Sequence, residues 1–259
     1  MNKLALHGFN NLTKTLSFNI YDVCYAPTPE QKQAFSQRID ATYPAEKLAT
    51  LLQNVATIIQ AHVLNIARQD YDPTGASATL LVAEHNTPMT SNTVIENFNA
   101  GISAVGHLDK SHITAHTYPE FHPHNGIGTF RADIDVSTCG LISPLNALNY
   151  LIEAFDADVM TIDYRVRGFT RNQHGDKLFI DHSIQSIQAF IASETISRYH
   201  CTDHNCSEHN IYHTKMLRQP FDLQRHTMGD LDPSETSLYK ARKILKQEMH
   251  EIFQGKIVQ

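Results

Sequence analysis

From Ile127 to Gly140 the chain reads IGTFRADIDVSTCG, and after Thr129 apolar and polar residues alternate strictly. Phe130, Ala132, Ile134 and Val136 fall in one phase; Arg131, Asp133, Asp135 and Ser137 fall in the other. A period of two is that of a β-strand with one buried face and one wet face. On that count Cys139 ends the polar face. A strand of this kind needs a sheet covered on one side, which restricts the chain to a layered architecture.

The rest of the sequence supplies that sheet. HVLNIARQDY and ASATLLVAEH flank Asp72-Pro73-Thr74-Gly75, a turn signal that predicts an antiparallel hairpin. DVMTIDYRVRGF reads as a further strand. Thr28-Pro29-Glu30-Gln31 predicts a helix start, with threonine as cap, proline at the first helical position and glutamine returning the capping bond. From Leu48, the residues Leu51, Leu52, Val55, Ile58, Ile59 and Val63 recur every three or four positions and predict one buried helical face. Ser143-Pro144 begins a helix carrying Leu145, Leu148, Leu151, Ile152 and Phe155, and a late helix follows Asp232-Pro233-Ser234-Glu235 with Leu238, Ala241, Leu245, Met249 and Ile252 on one side. The polar stretch EHNTPMTSNTVIENFNAGIS reads as a loop. Hairpin signals outnumber regular βαβ units, so the expected fold is α/β in composition (α+β), a mostly antiparallel sheet with helices packed on one face.

At 259 residues without an internal repeat, a single domain is expected. The balance of 21 basic and 27 acidic residues gives a formal charge of −6, which argues against a broad surface for nucleic acid or anionic membrane. The start, MNKLALHGFNNLTK, lacks the apolar core of a secretory signal, and no segment is apolar for the roughly 20 residues that a bilayer span requires. Four unevenly placed cysteines make no disulfide framework and fit a reducing cytoplasm. No glycine-rich phosphate loop occurs.

Chemistry concentrates in HLDKSHITAHTYPE, residues 107 to 120. Ser111 follows Lys110 and stands among His107, His112 and His116 without a G-x-S-x-G elbow. In a plain strand the five-residue separation of Ser111 and His116 puts them on opposite faces, so cooperation needs a bend or a chain end at Ser111. Taken alone, Ser111 is a surface hydroxyl, His116 a hydrogen-bonded structural histidine and Cys139 a small buried residue.

LDKSHITAHTYPE and DVSTCG together resemble the processing and catalytic segments of bacterial S-adenosylmethionine decarboxylase proenzymes. The resemblance extends through LHGFNNLTK, LNIARQDY, FRADIDVSTCG, SPLNALNYLI, TIDYRVRGFTR and HTKM, and is with the longer bacterial subtype. It implies an AdoMet decarboxylase-like sandwich and self-cleavage at Lys110-Ser111 into a β chain, 1 to 110, and an α chain, 111 to 259. The Ser111 oxygen would attack the Lys110 carbonyl, and elimination would leave a pyruvoyl group at the new amino terminus. That carbonyl condenses with the substrate amine and draws off the electrons released with carbon dioxide. The resemblance also implies His116 as the acid/base of processing, Cys139 as the proton donor to the substrate α-carbon, Mg²⁺ stimulation, an assembly of four α and four β chains, and decarboxylated S-adenosylmethionine for spermidine synthesis as product.

S-adenosylmethionine carries adenine and a sulfonium cation, so Phe9, Tyr118 and Glu120 are candidates for its site, against a reading as core aromatics and a solvated carboxylate. Cys201, His204, Cys206, His209 and His213 have the ligand types of a soft-metal site, without the spacing of a standard finger. Cys and His are poor ligands for Mg²⁺, so this cluster does not account for a magnesium effect. Cys24 has no such context and reads as structural. Three alternatives stay open: a pyruvoyl decarboxylase of ornithine or arginine, a non-catalytic regulatory homologue, and a metal-binding module around Cys201 and Cys206.

Overall fold

The computed structural model describes residues 6–8, 10–84, 111–229 and 234–258. Its strands are β1 (Thr13–Tyr25), β2 (Ala61–Asp70), β3 (Ala76–Glu84), β4 (Ser111–Phe121), β5 (Ile127–Cys139), β6 (Val159–Arg167), the short β7 (Thr170–Arg171) and β8 (Lys177–Leu178), β9 (Tyr199–Asp203) and β10 (Ile211–Arg218). The helices are α1 (Pro29–Thr42), α2 (Ala45–Ile58), α3 (Leu148–Phe155), α4 (Ser193–Ile196) and α5 (Glu235–Gln254). Eight strands form one sheet in the order β2-β3-β4-β5-β1-β6-β10-β9, and every neighbouring pair is antiparallel. β7 and β8 pair separately as a small hairpin.

The alternation in β5 sets the two faces. Phe130, Ala132, Ile134 and Val136 are fully buried with Leu16, Phe18 and Ile20 of β1 and Ile113 and Ala115 of β4, under α1, α2 and α3. The other phase holds Ser17, Asp133, Asp135, Ser137, Asp163 and His213, all only half-buried. The antiparallel sheet with helices is therefore as the sequence implies, with one addition. In β1 the alternation gives way to a buried run, Val23, Cys24 and Tyr25, which requires cover on both faces at that end. α5 provides it from the second side, setting Ala241, Leu245, Met249 and Phe253 against Val23, Tyr25, Ile127 and Val159. Phe253 takes the buried position expected of Ile252, which is half-buried.

The expected helix signals form among the described residues, Asp232 and Pro233 of the late one lying outside them. Thr28 accepts a hydrogen bond from the Gln31 N–H while the Gln31 side chain accepts one from the Thr28 N–H, a complete capping box ahead of Pro29. α2 buries Leu48, Leu52, Val55 and Ala56. It ends at Ile58, however, and Val63 belongs to β2, where it pairs with Val82. Gln60, at φ 61°, breaks the helix between them. Ile58 is 37% exposed, so it lies off the buried face that the periodicity assigned to it. The β2–β3 hairpin forms around the 71–75 turn, where Gly75 has φ +102° and a Cβ would stand 2.9 Å from the Thr117 carbonyl oxygen. The Ser143-Pro144 start opens as a 3-10 turn, Pro144–Ala147, before α3. Glu84, the first residue of the expected loop, instead ends β3, and the rest of that loop lies outside the described residues. Among the described residues no helix is long and apolar enough to cross a membrane.

Candidate active site

Because β4 and β5 run antiparallel with His112 opposite Ser137, the start of β4 lies beside the end of β5. Ser111 and Cys139, 28 positions apart, become neighbours. The Ser111 hydroxyl accepts a hydrogen bond from the Cys139 backbone N–H at 3.3 Å, and Ser111 is only 4% exposed. The first residue of β1, Thr13, pairs with Cys139, and its hydroxyl lies 3.9 Å from the Cys139 sulfur. Three strand ends thus meet, with the Ser111 side chain in the buried phase against the Cys139 backbone and the Cys139 thiol and Thr13 hydroxyl together in the other phase. The backbone then turns through Gly140, at φ +72°.

The turn after Cys139 is held from below by a buried polar cluster. Lys14 Nζ donates to the carbonyl oxygens of Gly140 at 2.9 Å and Ile142 at 3.4 Å, and pairs with Asp181 at 2.6 Å. Asn10 Nδ2 bonds the same Gly140 oxygen at 3.0 Å and Asp181 at 2.7 Å. His182 completes the cluster, with Nδ1 at 2.7 Å from Asp181 and Nε2 at 3.2 Å from the Tyr164 hydroxyl. Burial acts to raise the Asp181 pKa. Hydrogen bonds from His182, Lys14 and Asn10, with the Lys14 charge, outweigh it and hold the carboxyl well below its ordinary range.

His116 is not part of this convergence. It lies opposite Ser77 of β3 and Asp133 of β5, in the strand phase alternate to that of Ser111 and shared by Cys139, but six strand positions from Cys139 along β5. Five strand steps separate His116 from Ser111, roughly 16 Å. β4 has no bend between them, which leaves a chain end at Ser111, the first residue of β4, as the condition for their cooperation. The His116 ring instead lies 3.4 Å, at Nδ1, from the Tyr71 hydroxyl and stacks near Tyr118 at 6.3 Å.

The remaining candidates scatter. Tyr118 is 45% exposed with the Arg131 guanidinium 5.4 Å from its ring centre, and Arg131 bonds Asp133. Glu120 is exposed further along β4. Neither lies near Ser111. Lys110, His107 and Phe9 lie outside the described residues. Cys24 is buried, and burial pushes its thiol up to about 12, as suits a structural residue.

The Cys/His cluster does not assemble. Its residues fall on the β9–β10 hairpin, where Cys201 pairs with Met216, its thiol 3.9 Å from the Tyr199 carbonyl oxygen and pushed by burial to about 11. His213 gives its Nδ1 to Asp163 at 2.6 Å, and its ring lies 5.9 Å from His204. Cys206 and His209 sit at the hairpin tip. Among the described residues no three His, Cys, Asp or Glu side chains converge in a way that could hold a metal ion. His204 and His213 approach each other, but Cys201 lies back along β9 and Cys206 and His209 at the tip, so the full set does not gather.

Sequence reasoning missed the Lys14, Asp181 and Asn10 cluster. One signal was available: Lys14 falls in phase with Leu12, Leu16 and Phe18, a charge at an apolar position of an alternating strand.

The family model for S-adenosylmethionine decarboxylase matches residues 38–168, a span that contains Ser111, His116 and Cys139. The S-adenosylmethionine decarboxylase proenzyme of Marinobacter nauticus is 54% identical over 262 residues, covering 99% of each chain. That of Azotobacter vinelandii is 56% identical over 254 residues, covering 97% of this chain and 96% of its own. That of Pseudomonas syringae pv. syringae is 54% identical over 261 residues, covering 99% and 98%. A crystal structure of the adenosylmethionine decarboxylase from Aquifex aeolicus matches with TM-score 0.33 and 18% identity over 68% of this chain and 99% of its own, too distant to carry an argument.

Proposed function

Because this chain belongs to the S-adenosylmethionine decarboxylase family, we propose that it is a proenzyme that cleaves itself between Lys110 and Ser111 and then decarboxylates S-adenosylmethionine. The observation that carries this reading is the adjacency of the Ser111 hydroxyl and Cys139 in a buried corner of the sheet. In processing, the Ser111 oxygen attacks the Lys110 carbonyl carbon, the amide becomes an ester, and loss of the Ser111 α-proton expels the Lys110 carboxylate. The residue left at 111 exchanges its nitrogen for water oxygen and becomes a pyruvoyl group.

The Cys139 N–H contact belongs to the precursor: it holds the Ser111 hydroxyl oxygen that attacks and then leaves in the Lys110 carboxylate, while the β4–β5 ladder keeps the new terminus beside Cys139. Once formed, the pyruvoyl carbonyl supplies the electron sink that lets the substrate carboxylate leave as carbon dioxide. Cys139 then holds the proton destined for the substrate α-carbon, beside the Thr13 hydroxyl. His116 is assigned to processing by the family motif alone. Of the three family residues it is the one that the geometry of β4 supports least.

Tyr118 and Glu120 are not placed to share a pocket with Cys139 within one chain, so the substrate contacts are assigned to no residue. Among the described residues no three His, Cys, Asp or Glu side chains converge to hold Mg²⁺, and none of the roles above depends on it. An assembly of four α and four β chains and a cytoplasmic location belong to the same reading. Its test is release of labelled carbon dioxide from carboxyl-labelled S-adenosylmethionine, ornithine and arginine by the processed protein. Release from the first alone is expected, and release only from either amino acid would reject the substrate assignment.

A further inference from the structure

The cluster beneath Cys139 is built at a cost that a structural turn does not need. Lys14 is 3% exposed at its side chain and Asp181 10%, and taking two such charges out of water is a penalty that their mutual attraction has to offset. A neutral pair of similar shape would often stabilise the fold equally well. What the charged version adds is geometry. The Lys14 ammonium has three acceptors, Gly140 O, Ile142 O and Asp181 Oδ2, and so grips the backbone on both sides of Leu141. Asn10 supplies a second donor to Gly140 O and Asp181, and its own oxygen accepts from the Leu12 N–H, fixing its orientation. Thr138 bonds the Ile142 carbonyl oxygen at 3.4 Å from the other side of Cys139. Four of these contacts end on Gly140 or Ile142, the segment that follows the thiol; the rest tie Lys14 and Asn10 to Asp181 and to the Leu12 N–H, and the opposite end of Asp181 is anchored through His182 to the fully buried Tyr164.

We propose that Lys14, Asp181 and Asn10 are positioning residues that lock the turn from Cys139 to Ile142, so that the Cys139 thiol delivers its proton to the substrate α-carbon and to no other atom. This rests on the reading of Cys139 as proton donor. Choice of atom matters because two carbons compete for the proton after carbon dioxide leaves. Protonation of the substrate α-carbon, then hydrolysis, returns the ketone to the enzyme and the amine to the product. Protonation of the former ketone carbon, then hydrolysis by one water, leaves the amine on the chain as an amino-terminal alanine and releases the substrate carbon skeleton as an aldehyde. The chain has then gained the two electrons and one nitrogen that the ketone would have shed, and it is inactive.

The test is the mass of the α-chain terminus during turnover, compared with carbon dioxide released. The variants are Asn10→Ala and the charge-neutral pair Lys14→Gln with Asp181→Asn; the second removes both ions together and keeps the buried site balanced should the first unfold. The expected result is that processed variants turn over about 10-fold more slowly and that alanine-terminated α chain per carbon dioxide rises about 10-fold, the scale of a misplaced catalytic group. Variants that are less heat-stable but keep the parental ratio of alanine to carbon dioxide would reduce the cluster to a structural clamp and overturn the proposal. A parent protein that forms no pyruvoyl terminus and releases no carbon dioxide would instead reject the underlying function.

Discussion

The Ser111 hydroxyl accepts a hydrogen bond from the Cys139 N–H at 3.3 Å because one antiparallel register, His112 opposite Ser137, brings the first residue of one strand beside the last of the next. The residue proposed to become the electron sink and the residue proposed to supply the proton are thus tied through backbone. Their separation cannot drift without loss of the β4–β5 ladder.

Cys139→Ala keeps that backbone contact and removes only the thiol. Self-cleavage should proceed, since the amide still donates to Ser111, while turnover should fall by about 10²- to 10⁴-fold, the usual contribution of one positioned acid. Gel analysis beside a carbon dioxide assay separates the two. Full turnover by the alanine variant would return Cys139 to a packing role.

His116→Ala divides motif from geometry. Under the proposed role, scission slows by up to about 10²- to 10⁴-fold while the folded protein persists. Tyr71→Phe, which removes the hydroxyl 3.4 Å from the His116 ring, should slow it less. Scission at the parental rate in His116→Ala would leave that histidine as a residue packed between Tyr71 and Tyr118.

At the far end of β1, the Asp22 carboxyl accepts from the Asp158 N–H at 3.1 Å. Burial, and then the neighbouring Asp158 carboxylate, push Asp22 from 3.8 up to about 7. A folded-state value above the unfolded one means that the native state holds this proton more tightly. The stability it contributes is complete below the unfolded value and is lost as pH rises through about 7. Asp22→Asn keeps the acceptor and removes the titration. Urea midpoints should fall less with rising pH in the variant than in the parent, the variant being the more stable at pH 8. Parallel curves would refute the assignment.

Thr28→Ala opens the capping box without touching the core, and should cost about 0.5–2 kcal/mol in urea unfolding with activity unchanged. No change in midpoint would contradict the structural reading of the Thr28 and Gln31 contacts.

Much of this was legible in the sequence because it depends on local pattern. The alternation of 130–137 gave the sheet its two faces, Thr28-Pro29-Glu30-Gln31 marked a helix start, and the turn at 72–75 marked a hairpin. The end of α2 was not, since Val63 continues a helical spacing by coincidence while Gln60 turns the chain. The Cys201 to His213 cluster dissolved for a related reason: ligand types close in sequence are dealt out by a hairpin to different faces and to its tip. Ser111 and Cys139 were known only as motif members, because their meeting depends on a register between strands that no local pattern states. The Lys14 cluster joins residues up to 171 positions apart, and only the misplaced charge in β1 hinted at it.

The central claim is tested most directly by intact-mass measurement of the purified protein and of Ser111→Ala. The account predicts two polypeptides for the parent, divided between Lys110 and Ser111, the second beginning with a pyruvoyl group, and one uncut chain of about 29.2 kDa for the variant. A parent that decarboxylates substrate as a single chain with its Ser111 hydroxyl intact would contradict it.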